Sequence, residues 1–263
     1  MDLYEKIISE ERFFLIAGPC VIENEKVILE VAEFLKRETS KRNITFIFKS
    51  SYKKANRTSI HSFSGLGIKE GLRILQKVKD EFELPILTDV HETIEVKQVS
   101  EVADIIQIPA FLSRQTDLII EAAKTGKIIN LKKGQFMAAE DMESATEKVT
   151  STGNQQILLT ERGTSFGYHN LVVDFRSFAI MKKLGYPVVY DVTHSLQQPS
   201  LGKITGGTPE YAPMMAKATL ASGKVAGLFI ETHPHPEDAL SDAATMLPLN
   251  SLPDILEECL RIM

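Results

Sequence analysis

The sequence predicts an α/β protein of the (β/α)8 TIM-barrel class, one domain spanning residues 1–263. Three observations point there. Short β-branched or aromatic runs alternate with helical periods eight times, as parallel strands covered by helices require. No Pro-, Gly- or Ser-rich linker interrupts the alternation. Each apolar run also stops at a reactive or polar residue: Cys20, Lys49, Asp89, Gln107, Lys132, Arg162, His194 and Glu231. A barrel gathers such ends at one mouth, the face where barrel enzymes build their sites, whereas packing alone gives no reason for them. A doubly wound open sheet is the alternative.

The elements follow in order. Strand one is Phe13 to Ala17, closed by Gly18, Pro19 and Cys20; a helix capped by Asn24 then buries Val27, Ile28, Val31, Phe34 and Leu35 at i, i+3, i+4 spacing. Ile44 to Phe48 ends at Lys49. A long polar loop precedes a helix marked by Ile68, Leu72, Leu75, Val78 and Phe82, and Pro85 opens Ile86 to Thr88, which ends at Asp89. A helix near Glu92 to Val102 leads to Asp104 through Ile108, where Pro109 stops the strand. Leu118 to Lys124 is helical with Gly126 as its left-handed cap, and Ile128 to Leu131 ends at Lys132. Helix Glu140 to Val149 precedes Gln156 to Thr160, with Glu161 and Arg162 at its mouth. Helix Asp174 to Leu184, capped by Gly185, leads to Val188 to Val192 and His194. The helix carrying Ala212, Met215, Ala216, Thr219 and Leu220 ends at Gly223. The eighth strand begins at Val225 and stops at Glu231, and a last helix, N-capped by Ser251, buries Leu252, Ile255, Leu256, Cys259 and Leu260.

Composition narrows the function classes. With 43% hydrophobic and 25% charged residues the chain buries a sizeable core. No apolar run approaches the roughly 20 residues that span a bilayer, and charges interrupt the N-terminal MDLYEKIISEER, so a cytoplasmic protein without a membrane partner is expected. Two cysteines make no disulfide framework. A net charge of −5 with no basic block argues against nucleic acid as a partner.

Two chemistries share the predicted mouth. Lys49, Lys53, Lys54, Arg57, Arg114, Lys132, Lys133 and Arg162 suit phosphates and carboxylates, although Lys53 and Lys133, each beside another lysine, read as solvated loop residues. Cys20, His194, Glu231 and Asp242 offer thiolate, imidazole and carboxylate donors for a divalent first-row metal. No compact metal motif singles them out, and His233 and His235 are rivals; Cys20 also reads as a small buried hydrophobe. His61, His91 and His169 sit in polar loops and read as hydrogen-bonding residues.

Eight stretches together carry a resemblance: AGPCVIE (17–23), FKSSYKKANRTSIHSF (48–63), TDVHE (88–92), IIQIPAFLSRQTDL (105–118), KKGQF (132–136), LTERGTSFGYHNLVVDFRS (159–177), DVTHS (191–195) and ETHPHPEDALSDA (231–243). They closely resemble the 3-deoxy-D-manno-octulosonate 8-phosphate synthase family over nearly the whole chain. The resemblance implies a barrel enzyme, a transferase that condenses phosphoenolpyruvate with D-arabinose 5-phosphate and water for lipopolysaccharide biosynthesis. It implies that Lys49, Gln107, Lys132 and Arg162 bind phosphoenolpyruvate. Lys54, Asn56, Arg57 and Thr58 would hold the sugar phosphate, Thr58 standing where Ser is more common, and Asp89 would lie near the sugar hydroxyls. Arg114 resembles a residue that reaches a neighbouring subunit's site, implying a homotetramer. Cys20, His194, Glu231 and Asp242 match the metal ligands of the Cys-containing, metal-dependent class, with Mn, Fe, Co or Zn as the expected ion. Lys49 and Lys132 would act in catalysis, and His194 or Asp242 in proton transfer. Pro209 departs from the pattern, which usually has Arg there. The competing readings are 3-deoxy-D-arabino-heptulosonate 7-phosphate synthase, disfavoured by Asn56, and a metal-dependent barrel hydrolase, disfavoured because no His-x-His ends the first strand.

Overall fold

The computed structural model describes residues 1–56, 60–199 and 206–263. Arg57, Thr58 and the whole GKIT segment (202–205) before Gly206 lie outside the described residues. Eight parallel strands pair in chain order: β1 (Phe14–Gly18), β2 (Phe46–Lys49), β3 (Ile86–Asp89), β4 (Ile105–Ile108), β5 (Ile128–Lys132), β6 (Ile157–Glu161), β7 (Val188–Asp191) and β8 (Gly227–His233). Pairing of β8 with β1, Phe14 opposite Gly227 through Gly18 opposite Glu231, closes the sheet into a barrel. The (β/α)8 prediction holds and the open-sheet alternative falls. Closure leaves no Cβ room at Gly227: one would sit 2.5 Å from the Phe14 ring.

Because successive side chains on a strand face opposite sides, every strand splits into two rows. Leu15, Ala17, Phe46, Phe48, Ile106, Ile108, Ile129, Leu131, Ile157 and Leu159 join the outer core under the helices. The inner row forms a separate cluster of Phe14, Ile16, Ile47, Leu87, Ile105, Ile128, Leu158, Val189 and Phe229. Two residues further along, the same inner row turns polar: Lys49, Asp89, Gln107, Asn130, Thr160, Asp191 and Glu231 are all buried. The apolar layer is thus the floor on which the polar mouth stands.

The helical shell contains α1 (Leu3–Ile8), α2 (Glu25–Lys41), α3 (Ile68–Phe82), α4 (Val96–Ser100), α5 (Thr116–Lys124), α6 (Met142–Thr150), α7 (Arg176–Lys182), α8 (Val192–Ser195), α9 (Ala212–Ala221) and α10 (Leu252–Leu260). Asn24 caps α2 as predicted, accepting from Val27 N at 2.9 Å. Gly126, Gly185 and Gly223 take the positive φ that ends α5, α7 and α9.

Ser251 occupies the N-cap position of α10 as expected but makes no capping hydrogen bond: it ends a 3-10 turn, and its hydroxyl donates to Pro248 O instead. The helix expected over 92–102 is a 3-10 turn, Thr93–Glu95, followed by the short α4. Strand seven stops at Asp191 rather than Val192, since Asp191 caps α8 by accepting from His194 N. Strand eight does not stop at Glu231 but pairs on through His233 with Leu247–Pro248.

The helix α1 was missed by periodicity because six residues show too few turns. Asp2 and Glu5 form its capping box, and its Ile7 packs into the inner-barrel cluster with Leu3 and Tyr4 beside it. Tyr4 Oη donates to Ile157 O at 3.2 Å, so α1 stoppers the end of the barrel opposite the mouth. Truncating Ile7 leaves a cavity in a close-packed layer. Ile7→Ala is expected to cost about 2–4 kcal/mol, read as a lower urea midpoint with an unchanged slope.

Candidate active site

The predicted mouth residues converge, and two buried ion pairs organise them. Lys49, at the end of β2, pairs with Glu231 on β8, both side chains only 1% exposed. Lys132, at the end of β5, pairs with Asp191 on β7. Both lysines lie over the Phe229 ring, Lys132 Nζ 4.0 Å and Lys49 Nζ 5.4 Å from its centroid. The ring face carries negative charge, so it adds a favourable surface below the ammonium groups.

One side of the mouth is cationic. Arg162, buried just past β6, donates to His194 O at 3.1 Å and to Gln197 Oε1 at 2.7 Å. Burial lowers the pKa of Lys132, opposed by Asp191 and reinforced by neighbouring Lys49. Burial likewise lowers Arg162. Lys132 has Asp191 as its counter-ion, whereas Arg162 has no carboxylate ion-pair partner among the described residues, and an anionic ligand supplies one. Gln107 accepts from Asn130 Nδ2 at 3.0 Å, and Asn130 Oδ1 accepts from the Thr160 hydroxyl at 2.6 Å. That ladder directs the Gln107 amide group out of the floor as a donor. Asn130 escaped the sequence reading because it sits mid-strand in an apolar run, where only inner-row parity exposes it.

The other side holds donors. Ligand atoms of Cys20, Glu231 and Asp242 all lie within 4.8 Å of one another. His194 Nε2 is 3.4 Å from Glu231 Oε2 and 4.0 Å from Asp242 Oδ2. Cys20 Sγ donates to Asp242 Oδ2 at 2.9 Å and lies 3.0 Å from Ser241 Oγ. Asp242 takes a left-handed φ of 51°, a conformation Asp tolerates better than most residues and one that aims its carboxylate inward. His194 Nδ1 faces Asp191, 2.8 Å from Oδ2, so a proton on Nδ1 leaves the Nε2 lone pair toward the carboxylates.

Cys20, Glu231 and Asp242 form a three-donor cluster whose residue types suit a divalent cation, and His194 brings an imidazole close to two of them. Burial pushes the Cys20 thiol well above its ordinary pKa, and Asp242 and Glu231 push it further. A cation among them reverses that repulsion and favours the thiolate. Burial also lowers the His194 pKa, against the pull of Asp191 and Glu231. Glu231 resists the opposing cost of burial and is held well below the carboxylate range by His194, Lys49 and Lys54.

Around this centre the remaining predicted residues separate. Asp89 is buried, contacts His91 Nε2 at 3.1 Å, and its Oδ1 has no hydrogen-bond partner among the described residues. Lys54 reaches inward, its Nζ 3.9 Å from Glu231, while Asn56 stands exposed at the rim. Arg114 is exposed, and its backbone carbonyl accepts from Lys148 Nζ at 3.1 Å. Lys53 points elsewhere, to Glu92 at 3.2 Å and Glu95 at 3.0 Å. Lys133 is not a solvated loop residue: its side chain is fully buried and donates to Gly134 O, Met137 O and Thr164 Oγ1. Of the two rival histidines, His235 is exposed, and His233 turns to Glu23, 3.6 Å away, rather than to the donor cluster.

The model of the DAHP synthetase I family matches residues 5–261. A 2-dehydro-3-deoxyphosphooctonate aldolase of Dichelobacter nodosus is 53% identical over 260 residues, 98% of this chain and 94% of that protein. Proteins of the same name from Desulfatibacillum aliphaticivorans and Koribacter versatilis are 54% and 51% identical, over 94% and 97% of this chain and 91% and 92% of theirs. The chain belongs to the DAHP synthetase I family, among its 2-dehydro-3-deoxyphosphooctonate aldolases. In this aldolase-family chain Asp191 is the residue that sequence reading missed at the centre of the site. It touches Lys132, His194 and, through its cap, the start of α8.

Lys132 and His194, with Arg162 nearby, hold the Asp191 carboxyl below its usual range despite burial. A depressed folded-state pKa contributes stability that is complete above the unfolded value near pH 4 and is lost as pH falls through the lower folded value. Asp191→Asn is expected to lose part of that stability at pH 7 and to flatten its decline below about pH 4, read from urea midpoints across pH. By loosening His194 and Lys132 it should also cut kcat/KM about 10- to 100-fold.

Proposed function

We infer that this chain is a transferase, 3-deoxy-8-phosphooctulonate synthase, joining phosphoenolpyruvate, D-arabinose 5-phosphate and water into 3-deoxy-D-manno-octulosonate 8-phosphate and inorganic phosphate. Its product serves lipopolysaccharide biosynthesis, and the reaction takes place in the cytoplasm. The single observation that carries the reading is one mouth with an anion-binding half, Lys49, Lys132 and Arg162, directly facing a donor half, Cys20, His194, Glu231 and Asp242. One substrate has two anionic groups, and the other presents an aldehyde. A site for both needs those two halves in contact.

Phosphoenolpyruvate lies with its phosphate and carboxylate against Lys132, Arg162 and Lys49, with the Gln107 amide as a further donor. The sugar phosphate is held from the loop after β2, by Asn56 at the rim and Lys54 reaching inward, with Arg57 and Thr58 of the same segment assigned by resemblance. Burial opposes the Lys54 charge, but the Glu231, Asp89 and Asp242 carboxylates around it raise its pKa, so it stays an ammonium. Asp89 offers its unpartnered oxygen to a sugar hydroxyl. Carbon C3 of phosphoenolpyruvate then attacks the aldehyde, water adds at C2, and phosphate leaves. Lys132, Lys49 and Arg162 offset the negative charge on the phosphoenolpyruvate groups, and the fixed approach of the two substrates lowers the entropic barrier.

The metal-dependent class is the finer reading, supported by the four converging donors. The cation, Mn, Fe, Co or Zn, would be held by Cys20, His194, Glu231 and Asp242 and would supply Lewis-acid stabilisation to the aldehyde or the attacking water. Oligomerisation, to a tetramer with Arg114 reaching a neighbouring site, is supported by the exposure of Arg114 and of Phe111 nearby in sequence.

Product mass after incubation with phosphoenolpyruvate and each sugar tests the activity. An eight-carbon product from arabinose 5-phosphate is expected; strong preference for erythrose 4-phosphate, or phosphate release without a new carbon–carbon bond, refutes it. Exhaustive chelation should lower kcat about 100-fold or more, as loss of several kcal/mol of charge stabilisation implies, with recovery on adding a divalent ion. Full turnover in metal-free protein would place the chain in the metal-independent class.

A further inference from the structure

We propose that the buried pair Lys133–Glu161, outside the mouth, is a positioning device that fixes Lys132 and Arg162 relative to each other for phosphoenolpyruvate. The two residues adjoin the anion-binding cations in sequence but face the opposite way. Lys132 stands opposite Thr160 in the β5–β6 register, and Lys133 N donates to Thr160 O at 2.8 Å. Strand alternation therefore sends Lys132 and Arg162 into the mouth and Lys133 and Glu161 behind it.

Behind the mouth the pair ties two loops together. Lys133 Nζ is 3.4 Å from Glu161 Oε1 and donates to Gly134 O and Met137 O on its own loop and to Thr164 Oγ1 on the other. Glu161 Oε1 accepts from the backbone N–H of Arg162 at 2.9 Å and of Gly163 at 2.7 Å. Ser165 N donates to Gln135 O at 2.9 Å, a second strap between the same loops. The carboxylate thus grips the very peptide unit from which the Arg162 side chain departs.

Stability alone does not account for the pair. Taking two charges out of water is expensive, and hydrophobic replacements of similar volume are often equally stable or better. Glu161 Oε2 is buried with no hydrogen-bond partner among the described residues, so the arrangement is not even fully compensated. What a buried ion pair provides and an apolar pair does not is a directional tether. A displacement near 1 Å at a positioned group can cost about 100-fold, so the tether has catalytic consequence without touching substrate.

This inference rests on the reading of Lys132 and Arg162 as the phosphoenolpyruvate cations, and the test separates the two. Glu161→Gln keeps an oxygen for both N–H groups while removing the charge; Lys133→Met and the double variant remove the ammonium and then both charges. Calorimetric titration with phosphoenolpyruvate and steady-state KM for both substrates are measured on variants that keep the wild-type far-UV spectrum and thermal midpoint. The expected result is a Kd for phosphoenolpyruvate raised about tenfold or more in each, with KM for arabinose 5-phosphate within about twofold of wild type. Unchanged phosphoenolpyruvate affinity, or equal losses for both substrates, overturns it. Should Lys133→Met fail to fold, Glu161→Gln and the double variant decide by the same criterion. Wild-type protein that binds phosphoenolpyruvate but makes no eight-carbon product sinks the functional reading and leaves the binding comparison standing.

Discussion

Charges buried at the barrel mouth must be neutralised across the barrel, and the pairs Lys49–Glu231 and Lys132–Asp191 do this. Each ion removed from water costs several kcal/mol even after relaxation, so neither lysine nor either carboxylate is tolerable there alone. The pairing connects β2 to β8 and β5 to β7, so it depends on the closed barrel, and the closed barrel in turn brings these strand ends within reach. An apolar floor built around Phe229 and stoppered by α1 keeps water from entering below.

Those same pairs connect the two halves of the site. Glu231 faces Lys49 with one oxygen and His194 with the other, and Asp191 faces both Lys132 and His194. Anion-binding and donor residues therefore share carboxylates instead of forming independent clusters. An interior of low effective dielectric makes this sharing strong, because charges a few ångströms apart interact far more there than in water. The site is prepared for charged reactants before they arrive, with little reorganisation left for the reaction.

Much of this was legible in the sequence, and the residues show why. Lys49, Asp89, Gln107, Lys132 and Glu231 were visible because a strand buried on both faces reads as an apolar run, and a polar residue ending it stands out. Asp191 was hidden by the opposite circumstance. In VVYDVTHS it is followed by Val192, so the apolar run reads on to His194 and the turn at Asp191 has no local mark. Lys133 was hidden because its neighbour already accounted for a lysine at that place, and only strand parity, with a second loop supplying acceptors, reveals it as buried. His233 and His235 drew notice by residue type alone; one is committed to Glu23 and the other is exposed. Long-range pairings such as Cys20 with Asp242 arise from closure of the whole sheet and have no local signal.

We propose that one thiol and one imidazole from the ends of β1 and β7, with the Glu231 carboxylate of β8 and the Asp242 carboxylate of the loop after it, hold a single divalent metal beside the anion-binding cations. X-ray absorption at the metal edge of zinc-reconstituted protein tests it most directly. The expected result is about one metal per chain with one sulfur neighbour near 2.3 Å and the remaining neighbours nitrogen or oxygen near 2.0–2.2 Å. A first shell with no sulfur, or one unchanged by Cys20→Ser, would contradict it.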